Sequence, residues 1–239
     1  MKRRILTVCC AAALTMGLLA GCGSTQKEEK KTESTSDADD ELSDGGDIVE
    51  EPEKEEPEKE SAAGEVMLDV SSPLSGIHHA EMVIKDYGTI EMELDADTAP
   101  VTVTNFVKLV QDNFYDGLTF HRIIKGFMMQ GGDPLGNGTG GSDENIKGEF
   151  ANNGVKNDIS HKRGTISMAR ASDPDSASSQ FFIMHQDGTY LDGDYAAFGH
   201  VTEGMDVVDK ICEEAVPVNS QGLIDASKQP VIESIHMID

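Results

Sequence analysis

Apolar and polar side chains alternate along two neighbouring stretches of the chain. In residues 90–95, Ile, Met and Leu alternate with Glu and Asp, and residues 80–84 alternate in a similar way. Successive side chains of a strand point to opposite faces, so each stretch predicts a strand with one buried and one solvated face. Tyr87-Gly88 supplies a turn between them. The pattern therefore predicts a hairpin that opens the folded part of the chain.

Two other stretches carry apolar residues at helical spacing. Beyond Thr98-Ala99-Pro100, apolar residues recur at positions 103, 106, 107 and 110, which predicts a helix with one buried stripe. We expect Thr98 or an Asp to cap this helix and Pro100 to stand in its first turn. A second helix is predicted over residues 204–215. Its apolar stripe includes Cys212, which we interpret as a buried apolar residue.

Between and after the helices, the apolar residues come in short runs separated by Gly, Asn and Asp. Such runs predict short strands. They occupy residues 120–124, 127–130, 165–169, 181–184 and 197–201, with a final run at 231–238. Many short strands with two helices left to cover their ends predict a mainly β fold, either a closed β-barrel or a sandwich.

The N-terminus has the pattern of a targeting segment. Three cations at positions 2–4 precede an uncharged apolar run, residues 5–20, which is too short for a comfortable membrane span. The run ends in Leu19-Ala20-Gly21-Cys22, which resembles the bacterial lipobox, whose cysteine is lipidated. We expect residues 1–21 to be a lipoprotein signal peptide and Cys22 to anchor the chain to the cell membrane, on its extracytoplasmic face. The alternative is an ordinary secretory signal in which Cys22 is incidental.

The next segment has a composition that disfavours folding. Residues 23–64 contain five lysines against sixteen aspartates and glutamates, and Glu-Pro-Glu-Lys-Glu occurs at 51–55 and again at 56–60. The first aromatic residue of the chain is Tyr87. Such a segment buries too little apolar surface to offset its ordering entropy. We predict an acidic disordered tether over residues 22–77, with an acidic recruitment site as the alternative, and one folded domain over residues 78–239.

Composition and motifs exclude several classes of function. The formal net charge is −25, so the chain repels phosphate backbones and we expect no nucleic-acid partner. Residues 136–141 match the letters of a dinucleotide fingerprint, but no helical pattern follows, so we interpret them as a surface loop. The seven histidines form no zinc-type ligand pair, and we expect no metal and no cofactor. The four cysteines predict no disulfide framework, because all but Cys212 lie at the N-terminus.

One charged residue stands within an unusually apolar stretch. Arg122 lies among large apolar residues in segment 115–132, which also contains Gln130. In a regular strand, residues two apart share a face, so Phe120 would lie beside Arg122 and Met128 beside Gln130. A guanidinium among apolar side chains is costly unless it is paired or functional. The residues alone leave open whether Arg122 is functional or only extends its head group to water.

Six short blocks of sequence occur in a fixed order between residues 120 and 205. The first reads Phe-His-Arg-Ile-Ile-Lys-Gly-Phe-Met-Met-Gln-Gly-Gly-Asp over residues 120–133, and the others lie at 137–141, 164–169, 179–183, 191–193 and 198–205. In this order the blocks resemble the cyclophilin-type peptidyl-prolyl isomerases. The resemblance implies a closed eight-stranded antiparallel β-barrel capped by two α-helices. It also implies isomerase activity, which needs no cofactor.

The resemblance further implies a role for each residue of a substrate groove. Arg122 would donate a hydrogen bond to the proline nitrogen of a twisted Xaa-Pro bond and so stabilise the transition state. The apolar socket for the proline ring would be formed by Phe127, Met128, Phe182 and Leu191. Gln130 would hydrogen-bond the substrate backbone. The groove would be lined by Ala169 and Arg170, and a neighbouring subsite by Gln180 and Gly138.

Three groove positions depart from the family pattern. Tyr190 stands where many eukaryotic members carry a Trp that contributes to cyclosporin binding, so we expect weakened cyclosporin binding. Tyr195 occupies the position of the family's pocket His, where it still supplies an apolar face and a hydroxyl. Arg170 replaces a common Asn. None of the three removes the donor or the main socket, so we expect activity, and the sequence leaves the substrate preference open.

The favoured hypothesis is an isomerase displayed outside the membrane. It would act on proline-containing segments of secreted proteins and assist their folding. One alternative is a non-catalytic module on the cell surface that binds such segments. Another is a structural or adhesive lipoprotein that reuses the fold. We expect a monomer, because no heptad pattern and no extra exposed apolar run is visible in the sequence.

Overall fold

The computed structural model describes residues 72–239. The predicted signal peptide, the predicted lipidation site Cys22 and residues 22–71 of the predicted tether lie outside the described residues. Within the described part, no helix is long and apolar enough to cross a membrane.

Residues 72–239 contain eight strands and two α-helices. The strands are β1 (Ile77–Ile84), β2 (Gly88–Asp95), β3 (Thr119–Ile124), β4 (Met128–Asp133), β5 (Thr165–Met168), β6 (Phe181–Met184), β7 (Ala197–Glu203) and β8 (Ile232–Met237); the helices are α1 (Pro100–Gln111) and α2 (Met205–Glu214). Each predicted apolar run overlaps one strand, and both predicted helices are present. The prediction of a mainly β fold with two helices is confirmed.

The eight strands form one antiparallel sheet in the order β3-β4-β6-β5-β7-β2-β1-β8. The sheet curls until its edge strands β3 and β8 approach each other, where Thr119 and Val231 form an isolated bridge. Pro230 precedes this bridge and has no N–H to donate, so a continuous ladder does not extend through it. The closed barrel that the resemblance implied is therefore not confirmed, because the described sheet is open and curled.

The predicted opening hairpin is present as β1 and β2. Met82 pairs with Ile90, and both side chains are fully buried, as the alternation predicted. β1 begins at Ile77, one residue before the predicted start of the domain. Just before it, the backbone N–H of Leu74 donates to Thr104 Oγ1 of α1 across 2.7 Å. The chain is thus attached to the domain from about residue 74 onward.

Aromatic packing attaches helix α1 to the sheet. The ring of Phe106 lies between 5.1 and 5.6 Å from the ring centres of Tyr115, Phe181 and Phe198. Rings in such tilted and edge-to-face arrangements add to the free energy that their buried area contributes. On α2, Cys212 is buried as predicted, and burial raises the pKa of its thiol to about 12. Cys212 is therefore a protonated core residue.

The cap of helix α1 differs from the prediction. Ala99 is the N-cap residue and makes no side-chain cap, and Thr98 is not the cap. The first-turn N–H groups of Val101 and Thr102 donate instead to the carboxylate of Glu149, at 3.1 and 2.8 Å. A carboxylate from elsewhere in the sequence thus satisfies the free donors and complements the helix dipole.

An irregularity in β3 determines where Arg122 points. Phe120 pairs with Gly131 and Arg122 pairs with Gln130, so His121 is an extra residue in β3. A β-bulge of this kind changes the alternation of side chains between the two faces. Phe120 is fully buried in the main core, whereas Arg122 lies beside Gln130 on the opposite face. The expectation that Phe120 and Arg122 share a face is wrong because of this bulge.

Candidate active site

A cavity of about 190 Å³ lies next to Arg122 and combines apolar walls with two guanidinium groups. It is lined by Arg122, Phe127, Met128, Gln130, Ala169, Arg170, Phe182, Leu191 and Tyr195. All nine residues belong to the groove that the family resemblance implied. We call this cavity the socket.

The apolar wall of the socket is a small cluster apart from the main core. Met128, Phe182, Met184 and Leu191 are its buried members. Strand pairing builds it, because Met128 of β4 lies opposite Met184 of β6 and Gln130 lies opposite Phe182. Met128 and Gln130 therefore share a face, as predicted. This arrangement leaves apolar surface that a ring of a ligand can cover, with polar groups at its edge.

The guanidinium of Arg122 is held at the edge of the socket by two hydrogen bonds to oxygen and a weaker one to sulfur. Its Nε donates to the backbone oxygen of Gln221 at 2.8 Å, and its Nη1 donates to Oε1 of Gln130 at 3.0 Å and to Sδ of Met128 at 3.7 Å. Partial burial lowers the pKa of Arg122, but arginine is not deprotonated in proteins, so it remains a cation. The remaining N–H groups of Arg122 are available to a ligand in the socket.

A chain of side-chain amides supports Arg122. Gln130 Nε2 donates to Gln180 Oε1 at 2.9 Å, and Gln180 Nε2 donates to the backbone oxygen of Gly140 at 2.7 Å. Each amide both donates and accepts, so the chain determines which way each one faces. It connects the guanidinium to the glycine-rich loop.

A second cavity, of about 340 Å³, adjoins the socket and shares Gln130, Ala169 and Arg170 with it. Its other walls come from residues 138–142 and from Asn145, Ala171, Ser176, Ser178 and Gln180. Gly138 and Gln180 thus lie in a neighbouring pocket, where the resemblance placed them. We call it the side pocket. The prediction that residues 136–141 form a loop is confirmed, because no helix follows them.

Asp133 organises the loop beside the side pocket. Its carboxylate accepts hydrogen bonds from the backbone N–H groups of Leu135, Asn137 and Gly138, at 2.8, 3.0 and 2.5 Å. Burial raises the pKa of Asp133, but these hydrogen bonds outweigh burial, so the pKa lies below its usual value. Gly138 adopts a φ of 90°, which favours glycine at this position.

Arg170 lies at the junction between the socket and the side pocket. Its guanidinium carbon is 4.9 Å from the ring centre of Tyr195 and 5.1 Å from that of Phe150. Its Nε donates to the backbone oxygen of Asp194 at 3.0 Å, and its Nη1 donates to that of Ala171 at 2.9 Å. Arg170 and Tyr195 both differ from the family pattern, and they are thus in contact through a cation–π interaction.

A buried hydrogen-bond chain supports Phe182 from behind. The ring of His161 stacks on Phe182 with 6.0 Å between ring centres, and its Nε2 and Nδ1 contact Ser167 Oγ at 3.0 Å and Asp192 Oδ1 at 2.9 Å. Burial lowers the pKa of His161 more than Asp192 raises it. Ser167 is fully buried and therefore not accessible as a nucleophile. The chain positions the socket wall.

Tyr190 lies at the rim of the groove, outside the lining of both cavities. The residue is 70% exposed, and its ring stacks on Phe127 with 5.9 Å between ring centres. The structure also shows contributors that the sequence did not predict, namely Gln221, Phe150 and His161. Gln221 is 99 residues from Arg122 and acts through its backbone, so no local sequence signal marks it.

Potential metal ligands do not cluster in the described domain. Across residues 72–239, no group of three or more His, Cys, Asp or Glu side chains could hold a metal ion.

A family model described as "Cyclophilin type peptidyl-prolyl cis-trans isomerase/CLD" matches residues 79–237, which is more than half of the chain. The chain belongs to the cyclophilin-type isomerases. A peptidyl-prolyl cis-trans isomerase of Helicobacter pylori is 50% identical to this cyclophilin over 126 residues, covering 52% of this chain and 74% of the relative. Peptidyl-prolyl cis-trans isomerase B of Bacillus subtilis is 47% identical over 124 residues, covering 52% and 83%.

Solved structures agree with this assignment. A cyclophilin-type isomerase of Cryptosporidium parvum superposes with a TM-score of 0.61 at 29% identity, covering 69% of this chain and 99% of that protein. A second structure of that protein, in the presence of the dipeptide Ala-Pro, has a TM-score of 0.60 at 28% identity and covers 67% and 99%. The family and the named relatives together support peptidyl-prolyl isomerase activity for this cyclophilin.

Proposed function

We propose that this cyclophilin accelerates rotation about Xaa-Pro bonds in extracytoplasmic proteins, with Arg122 as the catalytic residue. Resonance gives a peptide bond a rotation barrier of ~18–20 kcal/mol. Xaa-Pro bonds consequently isomerise in tens to hundreds of seconds without a catalyst, which is slow enough to limit folding. The observation that carries the proposal is the position of the Arg122 guanidinium at the edge of an apolar socket.

The proposed mechanism is preferential binding of the twisted bond. The proline ring enters the socket against Met128 and Phe182, which places the proline nitrogen near Arg122. In a planar amide the nitrogen lone pair is delocalised, and twisting localises it on nitrogen. An N–H of Arg122 then donates a stronger hydrogen bond to the twisted form than to either planar form. Such differential binding lowers the barrier, and no covalent bond forms or breaks.

Gln130 has two functions in this proposal. It accepts a hydrogen bond from Arg122 and keeps the guanidinium directed at the socket. Its amide also lies in the lining, where it can hydrogen-bond the substrate backbone. The ligand class is a proline-containing peptide segment, which the structure of the Cryptosporidium parvum protein in the presence of Ala-Pro supports by analogy.

A folding experiment tests this activity. The substrate is a small protein whose refolding is limited by a proline isomerisation, and its slow phase is followed by fluorescence. The full chain should accelerate the slow phase in proportion to its concentration, and the Arg122→Ala variant should not. If the parent chain binds the unfolded protein and leaves the rate unchanged, the non-catalytic binding module replaces the isomerase. This alternative is motivated by Arg170 and Tyr195, two groove positions that differ from the family pattern.

We further propose that the enzyme is a lipoprotein, anchored through Cys22 on the extracytoplasmic face of the cell membrane. The support is the targeting pattern of residues 1–22. Replacement of Cys22 by Ala should release the chain into the medium or leave an unprocessed precursor. Cys10→Ala is the matched control, because Cys10 would leave with the signal peptide and its loss should not affect anchoring. Membrane retention of a processed Cys22→Ala chain would contradict the proposal.

Weakened cyclosporin binding is proposed for the same groove. Tyr190 stacks on Phe127 at the rim, where the family resemblance places a Trp in many relatives. A Tyr ring offers less contact area than an indole and a different donor. Tyr190→Trp should therefore tighten cyclosporin binding measured by titration calorimetry. Unchanged or weaker binding would show that this position does not set the affinity.

A further inference from the structure

The lining of the groove is positively charged, although the chain as a whole is acidic. The full chain has a formal net charge of −25. Among the residues that line the socket and the side pocket, the charged side chains are Arg122 and Arg170, and none is a carboxylate. A concave surface of one charge sign attracts ligand groups of the opposite sign. The lining therefore favours a ligand that carries negative charge near the proline.

Of these two cations, Arg170 has the position to select a neighbouring side chain. It lines both the socket and the side pocket, whereas Arg122 lines the socket but not the side pocket. The guanidinium of Arg122 is directed at the position where we propose that the proline nitrogen binds. A substrate residue next to the proline, with its side chain extending into the side pocket, would lie beside Arg170.

The contacts of Arg170 hold its guanidinium in one orientation. The rings of Tyr195 and Phe150 flank it, and two backbone oxygens accept from its Nε and Nη1. Its Nη2 donates no hydrogen bond to any residue of the described domain. Since the rings cover the guanidinium plane, the donors that remain lie along its edge.

A carboxylate is the ligand group that fits such an edge. Guanidinium donors form paired, in-plane hydrogen bonds to carboxylate oxygens. The guanidinium is already oriented by its contacts, so less side-chain entropy is lost when a ligand binds. A neutral amide has one acceptor oxygen and no charge, so it would gain less from the same donors.

We propose that Arg170 is a specificity-determining residue that makes this enzyme prefer proline segments with an acidic residue beside the proline, on the side of the side pocket. The proposal rests on the proposed function, because it names the substrate class of the same groove. It concerns Arg170 of this chain, at a position where the family commonly has a neutral Asn.

The test compares matched peptides that differ only in charge. Each contains one Xaa-Pro bond, with Glu or Gln placed either before or after the proline, and kcat/KM is measured by NMR exchange. The parent should prefer Glu over Gln on one side by about three- to fivefold, the size expected of a partly exposed ion pair. The ratio of kcat/KM for the Glu peptide to that for the Gln peptide should fall toward one as added salt screens the ion pair.

Two variants assign the preference to Arg170. In Arg170→Gln, the Glu-to-Gln ratio should fall to about one. Lys85→Gln removes the same charge at an exposed position outside both cavities, and its ratio should equal that of the parent. The ratio is the decisive readout, because Arg170 contacts Tyr195 and its loss can change the overall rate.

The outcomes separate this proposal from the proposed function. Equal rates for Glu and Gln peptides in the parent, or a preference that survives in Arg170→Gln, would overturn the role of Arg170 while leaving the isomerase intact. If no peptide is accelerated, the proposed function fails. In that case, chemical-shift titration with the same peptides still measures whether the groove prefers Glu through Arg170.

Discussion

Gln130 accepts a 3.0 Å hydrogen bond from Nη1 of Arg122 and so orients the guanidinium beside the socket. The pairing of β3 with β4 places these two residues opposite each other, on the face that the bulge at His121 turns away from the main core. Gln130 in turn donates to Gln180, so its own orientation is determined. The proposed donor is thus positioned by a neighbouring strand.

Removal of this support should reduce turnover while the fold is retained. We expect Gln130→Ala to lower kcat/KM about tenfold, as for the loss of one hydrogen bond to a charged group worth about 1.5 kcal/mol. Gln180→Ala is the matched control, because it leaves the contact between Arg122 and Gln130 in place, and it should cost less. NMR exchange measures both rates. An equal loss in the two variants would argue against positioning through Gln130.

A lysine should not replace Arg122. The guanidinium donates to the oxygens of Gln221 and Gln130 and must still present a donor to the proline nitrogen. An ammonium is a point charge without a planar fork, so Arg122→Lys should lose about 100-fold in kcat/KM, similar to the loss of one preorganised donor. Peptide affinity, measured by titration, should change much less. Near-parental turnover in Arg122→Lys would show that charge alone suffices.

A glycine in β4 should be essential for stability. Gly132 has a φ of 80°, and a Cβ at this position would lie 2.5 Å from the backbone oxygen of Ser179. We expect Gly132→Ala to lower the free energy of unfolding by about 3 kcal/mol, from backbone strain and overpacking together. Gly154→Ala is the control, because Gly154 has a similar φ of 77° and no atom within 4 Å of the added Cβ. It should cost only about 1 kcal/mol in denaturant unfolding.

His121 should make stability depend on pH. Burial lowers its pKa from 6.5, Arg122 lowers it further, and Asp133 opposes both. Between this lowered value and 6.5 the unfolded chain binds more protons than the folded chain, so stability should fall as the pH decreases through this window. Neither ring nitrogen of His121 has a hydrogen-bond partner in the described domain.

The variant His121→Leu tests this expectation. Leu has a similar size and does not titrate, so the variant should lose less unfolding free energy than the parent between about pH 7.5 and about pH 5.5. Denaturant unfolding at the two pH values gives the difference. An identical loss in parent and variant would mean that His121 does not contribute to the pH dependence.

Much of the fold was predictable because its signals are local. Alternation in residues 80–95 predicted the β1–β2 hairpin, and the spacing of apolar residues predicted both helices. The groove residues came from the family resemblance, and the structure brings the predicted lining of the socket together. The assignment of their chemical roles stays a prediction.

Three features were not predictable because they depend on partners distant in sequence. The bulge at His121 exists only relative to β4, and alternation within β3 alone placed Phe120 and Arg122 on one face. Glu149 caps α1 from another part of the chain, since the local candidate Thr98 does not. The meeting of β3 with β8 is an isolated bridge, where the resemblance implied a closed barrel.

The most direct test of the proposed function is cis–trans exchange of an Xaa-Pro peptide, measured by NMR with catalytic amounts of the full chain purified in detergent. We predict accelerated exchange with the parent and a loss of about 100-fold or more with Arg122→Ala, while the variant still binds the peptide. Equal acceleration by parent and variant, with both folded, would contradict the assignment of Arg122. No acceleration by a folded parent that binds the peptide would contradict isomerase activity itself.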